Sequence, residues 1–348
     1  MVEIKITPLI NTLKLEKIDD SEYFSAKYSN YISNSRLGLM KSGGAEAFFG
    51  GFKPIFSSSL DLGSAVHEIS LQNDLFTICD TVDKPTAKVG IIADKIYAKL
   101  KGEIPSPEEI CKTAGEIDYY HGLLTNKQIQ NVLDKCTPYW TSRKAFEESY
   151  TDSKEVIYLD PKTREVAWNC IAALRNNQDV QNILHPKSEF NDIISENEQA
   201  ILLDILIEIP ELNSKFVLKL KSKLDNYVID ESMNEIQVND IKTLGRIVSE
   251  FDINIEKYGY NRELAMYSFL LSLVAKKYYN LDNPTIKGHY LVVSTIPQYY
   301  TKVVPMTKNM YVQGFSEFRS LLKQVAYCVA TDYKDFGIYD RYYTISAL

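Results

Sequence analysis

The sequence predicts an α/β protein, a β-rich centre flanked by helices with a mostly helical insertion ahead of it. Two hydrophobic periods carry that expectation. Apolar residues recur at three and four spacing over residues 89–100 and again over 166–184, the pattern of helices buried on one side. From Glu198 the period drops to two: Gln199, Ile201, Leu203, Ile205 and Ile207 share one face, and Glu198, Ala200, Leu202 and Asp204 the other.

Taken in order, the chain to about residue 55 reads as irregular, rich in Tyr, Ser and Asn. The glycines of residues 41–52 break any helical pattern and predict a loop. Asp61 or Ser59 can cap a helix that carries His67 and runs through Leu71. Residues 85–190 form the helical insertion. The strand from Glu198 then pairs with 215–225 and 235–243 in an antiparallel meander, with the turn-prone residues 230–234 joining the last two. Residues 261–277 predict a long helix, 287–295 a further strand and 315–330 a closing helix. The expectation is one domain over 1–348, in three parts: 1–84 with the His67 helix, the insertion 85–190, and the sheet with its C-terminal helices over 191–348.

The 348 residues are 45% hydrophobic and 24% charged, ordinary for a globular protein with a well-filled core. No apolar run approaches the roughly 20 residues that span a bilayer, and the first residues, MVEIKITPLI, lack a basic segment followed by an apolar one. A cytoplasmic protein without membrane contact is therefore expected. The five cysteines are scattered and odd in number, which indicates neither a disulfide framework nor a zinc site. A net charge of −7 argues against a protein that coats nucleic acid over its whole surface, yet leaves room for a local basic track.

The chemistry concentrates in residues 220–243. Side chains alternate along a strand, so Asp240 and Lys242 point the same way while Ile241 points into a core. The run before it puts Lys219, Lys221, Lys223 and Asp225 on one face, and the turn brings Asp225 beside Asp240. Asp at a strand end is commonly a turn-former, but two acids followed by Lys on a shared face suit a divalent cation, Mg2+ or Mn2+, that activates water next to a phosphate. Lys242 would orient or deprotonate that water, or stabilise the extra charge on phosphorus. Its plain alternative is a surface ion pair with Asp240. The three lysines would form a DNA track, or else simply solvate the outer face of a strand.

Asp225, with Leu224 where a Pro is customary, and Asp240-Ile-Lys242 resemble the core motif of PD-(D/E)XK nucleases. Gly63-x-x-x-His67 resembles the histidine helix of their RecB and RecE branches, and Tyr260-Asn-Arg-Glu263 their Tyr-x-x-Gln segment, with Glu at the usual Gln position. Residues 31–37 and 290–295 also fit that group, so the likeness spans most of the chain. It implies a restriction-endonuclease-like core, a central mixed sheet flanked by helices, with His67, Asp225 and Asp240 as metal ligands. Lys242 and Glu198 are then the catalytic pair, and Lys221, Lys223, Tyr260 and Glu263 contact substrate. Glu263 cannot donate to a phosphate as Gln can. The iron–sulfur subclass needs a cysteine trio near the C-terminus, where only Cys328 stands. The implied activity is a 5′→3′ exonuclease on duplex DNA ends in phage-type recombination or repair. Such enzymes form homo-oligomeric rings and work with a single-strand annealing protein. An endonuclease of structure-specific or restriction type, and a catalytically silent homologue that binds DNA or a recombination partner, remain open on the same core.

Overall fold

The alternation that begins near residue 198 builds the longest strands of the protein. The computed structural model describes residues 2–50, 58–187 and 192–332. The chain divides into two compact units, residues 1–53 with 176–348, and residues 54–175.

The first unit is built on a mixed sheet. Its strands, among the described residues, are β1 (Lys5–Pro8), β2 (Lys14–Lys17), β3 (Tyr31–Ile32), β4 (Ile193–Ile209), β5 (Ser214–Asp230), β6 (Glu235–Leu244), β7 (Thr285–Ser294) and β8 (Thr301–Pro305). They lie in the order β1-β4-β5-β6-β7-β8, with β2 also on β4 and β3 also on β5. Strands β4, β5 and β6 form the expected antiparallel meander. Asp230 shapes the β5–β6 turn, its Oδ1 accepting from the Met233 amide at 2.9 Å and from Ser232 Oγ at 2.8 Å. Strand β7 runs parallel to β6, which requires a crossover. The helix Tyr260–Tyr279 supplies it and buries Leu264, Leu270, Leu271 and Val274 in the core that the sheet shares with the helix Lys308–Ala330.

Three sequence expectations change here. The first residues are not irregular: they add β1, β2 and β3, too short at four and two residues to show an alternation of their own, and stabilised by pairing with β4 and β5. The glycines of 41–52 do not make a loop, as far as the described residues reach. A helix runs Asn34–Phe49, interrupted at Gly44, whose φ of 62° only glycine adopts easily. Leu37, Met40, Ala45 and Phe48 are buried along it, and that apolar spacing outweighs the glycines. Asp61 and Ser59 lie inside the His67 helix, which begins at Ser58, so neither is its cap.

The second unit is helical and, unlike the insertion expected over 85–190, begins ahead of the His67 helix, Ser58–Leu71, and includes it. Helices Ala87–Leu100, Pro107–Glu116 and Asn126–Ser149 enclose Ile92, Ile96, Tyr97, Ile110, Tyr139 and Trp140. Two short parallel strands, Phe76–Ile78 and Glu155–Ile157, close it. No helix among the described residues is long and apolar enough to cross a membrane.

Arg262 ties the first unit together. It is buried, donates from Nε to Asn34 Oδ1 at 2.7 Å, and pairs with Glu317, so it joins three helices. Removing one partner of a buried pair leaves the other uncompensated. Because Glu317 keeps some exposure and a second partner in Lys41, Arg262→Ala should destabilise by about 2–3 kcal/mol. Urea unfolding with a loss under about 0.5 kcal/mol would place the arginine outside the stabilising core.

Candidate metal centre

The site forms where two neighbouring strands part. Pairing between β5 and β6 ends at Asn226 opposite Asn239, whereas β6 continues beside β7 as far as Leu244 opposite Ser294. Asp225 and Asp240 are the first residues beyond the last shared rung. The Ile241 amide, which has lost its ladder partner there, donates instead to Asp225 Oδ2 at 2.8 Å. On the other edge of β5, Glu198 stands opposite Asp225 between the paired Asn197–Asn226 and Gln199–Leu224. Its φ of 54° is a conformation that non-glycine residues rarely hold inside a strand. The carboxylates of Glu198 and Asp225 come within 4.8 Å of each other.

Two lysines answer this concentration of acid. Lys242 Nζ lies 2.7 Å from Asp240 Oδ2 and 3.0 Å from Glu263 Oε2. Lys223 Nζ lies 3.0 Å from Glu198 Oε2 and 2.5 Å from Asp20 Oδ1. Tyr267 donates its hydroxyl to Glu263 Oε1 at 3.3 Å, and the Tyr260 ring, stacked on Phe251, passes 4.7 Å from Lys242 Nζ. Glu198, Asp225, Asp240 and Glu263 thus surround two ammonium groups, and Asp240 is only 3% exposed.

The electrostatics follow from this imbalance. Burial pushes the Asp240 carboxyl well above the usual range; Lys242 pulls it back, but Asp225 and Glu263 push it up again. Burial alone would lower Lys242, yet the carboxylates of Asp240, Glu263 and Asp225 outweigh it and hold the ammonium protonated. Asp240 Oδ2 is buried without an aligned hydrogen bond; its contact with Lys242 is one of charge. A surplus of oxygen donors, one of them lacking a hydrogen bond, fits a hard divalent cation.

The structure brings Asp225, Asp240, Lys242, Glu198, Glu263 and Tyr260 to this one place in the first unit. His67 lies half-buried on its helix in the second unit. The lysines share the face that alternation requires, but they do not form an open track. Lys219 is exposed, while Lys223 is occupied by Glu198 and Asp20. Lys221 is buried under residues 19–31, donating to the Tyr23 carbonyl at 2.7 Å, with the Tyr23 ring 4.2 Å from its Nζ. This covering segment rests on Ala200 and Leu202, so both faces of β4 are buried here. Sequence reasoning missed the cover because Tyr23 and Tyr28 sit in helical segments of four and three residues, below any periodicity. It also missed Asn226 and Asn239, although the mirrored pairs Asp225-Asn226 and Asn239-Asp240 were a visible signal.

Comparison with known proteins adds little at the sequence level. No protein family matches the chain, and no curated protein does. The fold is similar to the crystal structure of a "Putative exonuclease" from Eubacterium rectale, with a TM-score of 0.45 and 13% identity, over 92% of this chain and 89% of that one.

Burial of Lys221 carries a pH signature. Desolvation, with Arg36 adding to it, pushes the ammonium down from 10.5 to about 8. Between those values the unfolded chain binds the proton and the folded chain does not, so the penalty for burying the charge is full below pH 8 and relieved as pH rises. Lys221→Met should abolish that rise. Urea unfolding of wild type and variant at pH 7.5 and 10 tests it; an identical pH dependence would mean that Lys221 titrates as an exposed lysine does.

Proposed function

We propose that this chain is a nuclease that hydrolyses DNA phosphodiester bonds with Mg2+ or Mn2+ held by Asp225 and Asp240. The observation that supports it most is the parting of β5 and β6, which sets both aspartates and Lys242 at the mouth of one gap with more carboxylate than ammonium around them. When bound, the cation supplies a water of lowered pKa and neutralises phosphate charge. His67 is proposed as a further ligand on its Gly63-x-x-x-His67 context alone. Glu198, opposite Asp225 and steadied by Lys223, completes the acid set.

Each remaining role follows from the chain's own groups. Lys242 is held protonated, so it acts as a cation that stabilises charge gathering on the phosphate, not as the base. Glu263 and Asp240 fix its Nζ from two sides, a task for which an acid at 263 suits better than an amide. Tyr267 keeps its proton, because burial and then Glu263 push its pKa far up, and so it remains a donor to Glu263. Tyr260, beside Lys242, borders the path a substrate strand would take.

We read the enzyme as a 5′→3′ exonuclease acting on duplex ends in recombination or repair, as a homo-oligomer working with a single-strand annealing protein. This finer reading rests on the sequence resemblance. Linear duplex should be degraded in Mg2+ while closed circular duplex survives, and 5′-end label should be released before 3′-end label. Cleavage of the closed circle would make it an endonuclease, and no cleavage with either ion would leave a binding protein.

The proposed ligands make a sharper test. Asp225→Ala, Asp240→Ala and Lys242→Ala should each lower cleavage by at least about 100-fold in folded protein, since each removes charge from the site. His67→Ala should raise the Mn2+ concentration needed for half-maximal activity by about tenfold or more. Wild-type turnover by folded Asp240→Ala would overturn the site, and an unchanged metal titration would return His67 to a packing role.

A further inference from the structure

Behind the carboxylates, on the opposite face of the sheet, one row of side chains is polar across four strands. In the strand register Asn197 of β4 faces Asn226 of β5, Asn226 faces Asn239 of β6, and Asn239 faces His289 of β7. Hydrogen bonds run along the whole row. His289 Nδ1 lies 2.8 Å from Asn239 Oδ1, Asn239 Nδ2 donates to Asn226 Oδ1 at 2.7 Å, and Asn226 Nδ2 donates to Asn197 Oδ1 at 2.8 Å and to Ser195 Oγ at 3.1 Å. Asn226 and Asn239 are both 0% exposed in a sheet whose buried residues are mainly Ile, Leu and Val.

Burial this complete calls for a reason, because a buried amide costs free energy unless every bond is made. A strand apolar on both faces fixes its register weakly, since a slip exchanges one apolar face for the other. The amide row removes that freedom: a slip of one residue would leave Asn226 and Asn239 buried without partners. It is also the last rung that β5 and β6 share. Each central amide is the chain neighbour of a site carboxylate, Asp225 beside Asn226 and Asp240 beside Asn239.

We infer that Asn226 and Asn239 are positioning residues: their amide pair sets the point at which β5 and β6 part, and with it the spacing of Asp225 and Asp240 across the gap. The value of that spacing to a cation rests on the reading of the site given above. The spacing itself has an independent reporter in the Ile241 amide, which reaches Asp225 Oδ2 only while the two strands keep this register and divergence.

The test replaces both central amides at once, Asn226→Leu with Asn239→Leu, because removing both leaves no fully buried amide unpaired; the partners freed at the ends of the row, Asn197 and His289, are half-buried and within reach of water. Amide hydrogen exchange by NMR should show Ile241 exchanging on the order of tenfold faster while Glu235 and Gln237, whose amides also point toward β5 and which pair with it earlier in β6, keep their protection. Mn2+ affinity by calorimetry should fall about tenfold, the range for residues that orient ligands. Unchanged Ile241 exchange in the folded double variant would overturn the inference. So would an equal loss of protection along all of β6, which would make the row a stabilising element only. If wild type binds no Mn2+, the metal reading fails alone and Ile241 exchange still decides. Should the double variant not fold, Asn239→Ser, which keeps a small polar group, carries the same measurements with the same criteria.

Discussion

The separation of β5 from β6 after a single buried amide rung is the constraint from which the rest of the first unit follows. A β-ladder satisfies backbone donors only while its strands stay together. Once they part, the freed Ile241 amide needs an acceptor, and Asp225 provides one. That bond turns the aspartate toward the gap that Asp240 and Lys242 border from the other side. Glu198, forced to φ 54° opposite Asp225, brings a further acid to Asp225 from the other edge of β5. Strain and a broken ladder coincide at one point, the usual mark of a functional site.

Charge is the second constraint. Packing Asp240, Asp225, Glu198 and Glu263 close together would be strongly unfavourable without cations, and the chain provides two lysines that each bridge a pair of acids. The arrangement remains acid-rich, and Asp240 is pushed up first by burial and then by Asp225 and Glu263. The protein could lower that cost with apolar residues of similar size. It keeps the acids, and a divalent cation is the ligand that would relieve them.

Much of this was legible in the sequence because it depended on local alternation. The β4–β5–β6 meander, the 230–234 turn and the convergence of Asp225, Asp240 and Lys242 all follow from a period of two and one turn signal. What escaped was set by distant partners. The short strands β1 to β3 exist because the long strands β4 and β5 offer them edges, and residues 34–49 are helical on both sides of the break at Gly44 because their buried side chains match the core. The lysines were assigned to the right face, but alternation gives the face and not what covers it. Lys221 lies under Tyr23, a residue 198 positions away in the chain.

That cover bears on how an acidic chain would approach a polyanion. Of the lysines that alternate along β5 toward Asp225, Lys223 and Lys221 are engaged by Asp20, Glu198 and the Tyr23 carbonyl, which leaves Lys219 as the exposed member. Lysines already bonded to protein release few counterions when a phosphate arrives. A strand of DNA entering the gap would therefore meet its main positive charge at the proposed cation and Lys242. Binding and chemistry would then depend on the same few atoms, so the spacing of Asp225 and Asp240 would govern substrate affinity as well as turnover, and the amide row behind them would act on both.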